Sequence, residues 1–316
     1  MSASFGEGIA FIDGRFVPKG EATISVFDLG FLLSDATYDV VHVWHGAFFR
    51  LEDHLDRFLG SLAKLRMELD HDREAIARIA TECVRRAGLR DAFVQIIATR
   101  GRPSDGRRDL RKCQNNFIAL ALPFVWLVEP EQAEAGVSMI ISEVLRIPAR
   151  SVDPTVKNFN RLDFSQSLFE AYDKGAEYAV LLDTDGHVTE GLGYNLFALI
   201  GGRLISPASG VLEGVTRSTV LEMAKQTNLN AELADITAGE LRGADEIFMA
   251  TTAGGITPVS QLDGAPVGRG VAGPHTQRLR EMYWAWHDRP EYRTPIDYEA
   301  VDDTQAGIGA RAGAAE

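Results

Sequence analysis

Long apolar runs, paired cysteines and excess positive charge are what this sequence lacks. No uninterrupted apolar stretch reaches the roughly 20 residues that span a bilayer, and Met1-Ser2-Ala3-Ser4-Phe5-Gly6-Glu7 has no basic segment leading into an apolar one. Both absences point away from a membrane protein or a secretory leader. Cysteine occurs only as Cys83 and Cys113, without CxxC spacing or a nearby histidine pair, so neither a disulfide framework nor a metal site is expected. Against 45 Asp and Glu stand 32 Lys and Arg, a formal net charge of -13. That balance excludes the dense positive face needed to displace counterions from nucleic acid or an anionic membrane. The expectation is a cytoplasmic protein that binds neither.

What is present is a chain of 316 residues, 45% hydrophobic and 24% charged, long enough to bury a large core and to divide into two domains. Ile9 to Ile12 and Arg15 to Val17 around Asp13-Gly14 read as a tight hairpin. Thr37 to Trp44 precedes the turn His45-Gly46, after which Leu55, Phe58, Leu59, Leu62 and Leu65 recur at helical spacing. A second helix is expected from Arg73 to Ala87, then strands from Ala92 to Thr99 and from Asn116 to Leu122. Between those strands the polar loop Gly101 to Lys112 reads as a lid.

Beyond it, strands are expected at Ser138 to Glu143, Tyr178 to Leu182, Asn195 to Ile200 and Glu246 to Ala250, and helices at Phe164 to Asp173 and Thr216 to Gln226. The expected organisation is a small N-terminal α/β domain over 1–124, a linker over 125–135, a larger mixed α/β domain over 136–301 and a loose Ala/Gly-rich tail over 302–316.

Aldehyde-cofactor chemistry needs a lysine that forms an imine and then moves a proton, and such a lysine must be partly desolvated to be neutral. Lys157, in Pro154-Thr155-Val156-Lys157-Asn158-Phe159-Asn160, has apolar flanks that permit this, a surface charge being the plain alternative. Glu190 follows a turn and precedes Gly191 and Gly193, which let a ligand approach the backbone closely. A carboxylate against a pyridine nitrogen keeps it protonated and makes the ring an electron sink. Standing alone, Glu190 reads as a solvated charge at a strand end.

Phosphate needs backbone N–H groups and hydroxyls, and a helix start provides both. Gly210 to Ser218 runs into a helix with Val215 and Thr216 at its N-terminus, and Ala250 to Thr257 is a second turn of small residues after a strand. An ordinary N-cap and an ordinary strand exit are the bland readings. Arg57 suits a bidentate phosphate contact or a helix surface. His54 has no partner at metal spacing and reads as packed or hydrogen-bonded.

Taken in this order, the segments over residues 8–285 resemble the class IV pyridoxal phosphate aminotransferases, a two-domain fold type IV architecture. The resemblance implies pyridoxal 5'-phosphate as cofactor, Lys157 as the Schiff-base lysine and Glu190 as partner of the pyridine nitrogen. It also implies Arg57, Val215, Thr216, Thr251 and Thr252 as cofactor ligands, and at least a homodimer. Within the family, Thr37 to Trp44, Phe48-Phe49-Arg50-Leu51, Ala92-Phe93-Val94 and Val156 to Phe159 look most like (R)-selective amine transaminases. Their small pocket would be lined by Tyr38, Val40 and Phe93, with Leu33, His42, Gln95 and Ala253 as further substrate positions, and Arg108 would pair with the carboxylate of a keto acid such as pyruvate. The usual pattern has a histidine where Leu33 stands and smaller residues at His42 and Gln95. Branched-chain aminotransferases typically place tyrosine and arginine at Phe93 and Gln95 and a tyrosine at Leu162. The implied partners are an amine donor and a keto acid acceptor.

Overall fold

Two sets of strands, each with its own core, organise the chain. The computed structural model describes residues 7–104 and 109–300. One unit comprises Met1–Phe124 with Arg293–Glu316, and the other Val125–Tyr292.

In the first unit, β1 (Ile9–Ile12) and β2 (Arg15–Pro18) form the expected hairpin. Asp13 and Gly14, at φ 50° and 70°, supply the two left-handed positions that a type I′ turn needs. Then come α1 (Leu29–Leu33), β3 (Ala36–Trp44), β4 (Ala47–Phe49), α2 (Leu51–Leu65), α3 (Arg73–Ala87), β5 (Ala92–Pro103) and β6 (Cys113–Pro123). The sheet runs Arg293–Pro295, β4, β3, β5, β6, β1, β2, antiparallel throughout. Leu51, Leu55, Phe58 and Leu62 of α2 and Ile76, Ile79, Cys83 and Val84 of α3 lie buried with Val41, Val43, Val94, Ile96 and Ala98 of the sheet. Each of the Val, Leu, Ile and Phe side chains contributes roughly 1.5–3 kcal/mol on burial. Asp72 accepts the Ala75 N–H at 2.8 Å and Gly88, at φ 66°, ends the helix, which is why α3 occupies the expected span.

Two stretches differ from expectation. β5 continues to Pro103 because Gly101, at φ 72°, lets the strand bulge past Gln114, whose carbonyl oxygen a Cβ would overlap. The centre of the expected lid, including Arg108, lies outside the described residues, as does the expected tail. Arg293–Pro295, placed by the sequence reading in the second domain, instead pairs with β4 in the first sheet.

The second unit contains α4 (Pro130–Ala135), β7 (Val137–Leu145), α5 (Leu162–Asp173), β8 (Tyr178–Leu182), β9 (Glu190–Gly191), β10 (Tyr194–Ile200), β11 (Arg203–Ser206), α6 (Val215–Gln226), β12 (Asn230–Leu233), α7 (Ala238–Arg242), β13 (Glu246–Thr251), β14 (Gly255–Leu262), β15 (Ala265–Pro266) and α8 (Pro274–Trp286). The main path is β12-β11-β10-β13-β14-β7-β8, parallel at β12–β11, β14–β7 and β7–β8 and antiparallel elsewhere. Residues expected as a linker belong to this unit: Val128 and Ala133 are buried in its core with Val137, Met139, Leu196 and Met249. The α6 helix packs on α8, and Val220, Met223, Leu279 and Trp286 are buried.

Candidate active site

Lys157 lies in the irregular crossing between β7 and α5, a half-buried residue between buried Val156 and Asn158. Asn158 fixes this loop. Its amide donates to the Val156 carbonyl and accepts the Asn160 N–H, both at 2.9 Å, while Arg161 Nε donates to its carbonyl at 3.2 Å. These local bonds from one side chain shape the backbone around Lys157.

Glu190 opens β9 and is buried. Its Oε2 accepts the Leu212 N–H at 2.9 Å and the Asn195 amide at 3.2 Å. Its Oε1 has one longer contact, 3.4 Å, from Arg146 Nη2. Burial pushes the Glu190 carboxyl above its ordinary value, opposed first by the charge of Arg146, then by the Leu212 N–H and the charges of Arg161 and Lys157. Thus Lys157 and Glu190, 33 positions apart by their numbering (190 − 157), act within one electrostatic environment.

Asn195 is a residue the sequence reading passed over. It binds Glu190 and also donates to the Leu212 carbonyl at 2.9 Å, joining the start of β10 to the segment before α6. Gly214 makes the approach possible, because a Cβ there would overlap Asn195 Oδ1. Arg146 and Asp163 were also missed. Arg146 follows β7, donates from Nη1 to Asp163 Oδ2 at 2.6 Å and lies 4.3 Å over the Phe164 ring. Its Nε is buried with no hydrogen-bond partner among the described residues.

At the other end, α6 begins at Val215 with Gly214 as N-cap and no side-chain cap. Its first N–H groups and its dipole are therefore available to an anion. Val215 and Thr216, both expected as ligands, are buried in this first turn. Arg217, in the same turn, is committed elsewhere, its Nε donating to Ser206 Oγ at 3.0 Å and its Nη2 to the Pro207 carbonyl. Thr251 ends β13, where its hydroxyl donates to the Gly193 carbonyl at 2.8 Å and accepts the Ala253 N–H at 3.2 Å. That bond ties the Thr252–Gly254 turn to the turn after Glu190. Thr252 and Ala253 are half-buried in it, and the Ala253 carbonyl accepts the Leu127 N–H at 2.7 Å.

The remaining expected residues lie in the first unit. Tyr38, Val40 and His42 alternate along β3 and stand opposite Ile97, Gln95 and Phe93 of β5, so five expected substrate positions share one sheet face. The other face carries the helix-packed core. His42 stacks on Phe49 at 5.7 Å and meets Phe124 edge-on at 5.6 Å. Leu33, at the end of α1, is 60% exposed in this chain and does not join that face. Arg57 turns from α2 toward β3, its Nε and Nη2 gripping Asp39 at 2.7 and 2.8 Å, and His54 Nδ1 lies 2.8 Å from the same carboxylate. His54 is thus the hydrogen-bonded histidine expected. No His/Cys/Asp/Glu group among the described residues could hold a metal.

The donor set of the second unit suits a phosphorylated pyridine aldehyde. A half-buried lysine, a buried carboxylate with one under-used oxygen and an uncapped helix start match, in turn, the aldehyde, the ring nitrogen and the phosphate of such a molecule.

Comparison with known proteins agrees with that chemistry. The family model for amino-transferase class IV matches residues 36–262. A branched-chain-amino-acid aminotransferase of Pseudomonas aeruginosa is 28% identical over 292 residues, covering 90% of this chain and 94% of that protein. A D-alanine aminotransferase of Listeria innocua is 27% identical over 283 residues, covering 86% and 93%. A crystal structure of a T.th. branched-chain amino acid aminotransferase with pyridoxamine 5'-phosphate superposes with a TM-score of 0.86 at 32% identity, covering 92% of this chain and 99% of that one.

Proposed function

The chain belongs to the class IV aminotransferases and is a pyridoxal phosphate-dependent enzyme, and from that premise we propose that it exchanges an amino group between an (R)-amine or D-amino acid and a keto acid such as pyruvate. Bound pyridoxal 5'-phosphate supplies the aldehyde that takes up the amino group and the ring that stores the electron pair when a C–H bond breaks. Lys157 would hold the cofactor, and its Nζ would take the proton from the amine-bearing carbon and deliver it to the cofactor's C4′. Glu190 Oε1 would accept the ring N–H. Val215, Thr216 and Thr252 would hold the phosphate at the start of α6 and in the turn after β13, with Thr251 fixing that turn.

The observation that carries the substrate reading is the face formed by Tyr38, Val40, His42, Phe93 and Gln95. Its five residues include Tyr38, Val40 and Phe93 beside the polar His42 and Gln95, and none is a lysine or arginine that would pair with a substrate carboxylate, which supports the reading of an apolar amine. Arg108 remains our proposed contact for the acceptor's carboxylate. A second reading, branched-chain amino acid transamination, is favoured by the names of the P. aeruginosa relative and of the superposed crystal structure. A donor screen with chiral product analysis separates the two. Faster turnover of (R)-1-phenylethylamine with pyruvate than of leucine with 2-oxoglutarate is expected, and clear preference for leucine would replace the first reading with the second.

A further inference from the structure

Arg146 supplies the strongest charge acting against protonation of Glu190, and its geometry is lopsided. Nη1 is held tightly by Asp163 at 2.6 Å, whereas Nη2 reaches Glu190 Oε1 at 3.4 Å. Asp163 cannot yield. Its Oδ2 also accepts the Ile147 N–H at 3.0 Å, its Oδ1 accepts the Phe164 N–H at 2.9 Å, and it sits in the first turn of α5, where the helix dipole favours a carboxylate. Phe164 lies against the guanidinium at 4.3 Å, closing the other side. Glu190 is equally constrained at Oε2, where Leu212 and Asn195 both donate. The slack is therefore confined to one atom, Oε1.

We propose that Arg146 is a positioning residue for the cofactor: clamped by Asp163, it holds Glu190 Oε1 in place and unprotonated while leaving that oxygen free to accept the ring N–H. Arg161, Lys157 and Arg217 also act on Glu190, but the charge of Arg146 acts most strongly and is delivered at Oε1 itself. An arginine suits the task because a guanidinium stays charged when buried and its planar fork can serve two carboxylates at once, whereas a buried lysine readily loses its proton.

This inference rests on Glu190 as the ring-nitrogen partner, and the test separates the two ideas without using any amine donor. Dissociation constants for pyridoxal 5'-phosphate are measured by reconstituting apo-enzyme for the wild type, Arg146→Gln, Arg146→Lys, Glu190→Gln and the double variant Arg146→Gln/Glu190→Gln. Arg146→Gln is expected to weaken binding by about tenfold or more, and the double variant to stay within about twofold of Glu190→Gln, because the first substitution acts through the second residue. Equal losses from Arg146→Gln in both backgrounds, or none in either, overturn the proposal. Wild-type affinity in Glu190→Gln overturns the reading of Glu190 itself.

A second readout is the pH at which the visible absorption of the bound cofactor titrates. Loss of a buried positive charge favours protonated forms, so the midpoint should rise by about a unit in Arg146→Gln and by less in Arg146→Lys, which keeps a charge only where the buried amine stays protonated. An unmoved midpoint counts against the proposal. If Arg146→Gln does not fold, Asp163→Asn takes its place in the cycle, with a smaller loss expected and the same disappearance of that loss in Glu190→Gln. A loss that persists there overturns the proposal.

Discussion

Gly214 and Asn195 approach so closely that a Cβ on the glycine would overlap the asparagine's side-chain oxygen. Asn195 in turn donates to Glu190 at 3.2 Å and to the Leu212 carbonyl at 2.9 Å, so the space left by one missing methyl group holds the carboxylate and the approach to α6 together. Gly214 has an ordinary φ of −66°, and backbone strain plays no part.

Gly214→Ala is therefore expected to displace Asn195, costing about 1–3 kcal/mol of stability from overpacking and weakening pyridoxal 5'-phosphate binding. Urea unfolding and cofactor titration check both effects. Unchanged cofactor affinity would mean that Asn195 does not support the Glu190 site.

The opposite sign is expected at Gly60, which lies inside α2 with nothing near the position of a Cβ. Gly60→Ala removes backbone freedom from the unfolded chain and should stabilise by about 0.5–1 kcal/mol. A rise in the thermal midpoint with unchanged turnover is the expected result, and a fall would mean that the helix surface is covered at that point.

Asp39 links β3 to α2 through Arg57 and His54. Burial by itself would push its carboxyl up, but attraction and hydrogen bonds from Arg57, with those from His54, outweigh it and hold the group well below the ordinary carboxylate range. With the folded value depressed, its stabilisation is present above the unfolded value of about 4 and is lost as pH falls through the folded one. Asp39→Asn should cost on the order of 3 kcal/mol near neutrality, because it removes the buried carboxylate that Arg57 grips with two nitrogens. It should also flatten the acid limb of the stability profile, measured as urea midpoints across pH. An acid limb identical to the wild type would remove Asp39 as its source.

Much of the architecture was legible because local chemistry marks it. Asp72 and Gly88 bracket α3, and Asp13-Gly14 sets the first hairpin. The strand β14 was missed because Ala250 to Thr257 read as one turn of small residues, whereas the strand already begins at Gly255 and carries Pro258. Its pairing with β7 begins only at Val259, so that edge needs no N–H from the proline. Of the candidate site, Lys157 and Glu190 were picked out by the family resemblance; standing alone Glu190 read as a solvated charge, whereas it is buried. Arg146 was not picked out, because its partners Asp163 and Glu190 lie 17 and 44 residues away and nothing local marks an arginine at a strand end as buried. The inward turn of Arg57 toward Asp39 was hidden for the same reason: the pair spans 18 residues and two elements.

Borohydride reduction of the native holoenzyme, followed by peptide mapping, tests most directly whether Lys157 carries the cofactor. The predicted result is a stable phosphopyridoxyl group on the peptide containing Lys157, with loss of the visible absorption band. Reduction that labels a different lysine, or none in protein that retains bound cofactor, would contradict it.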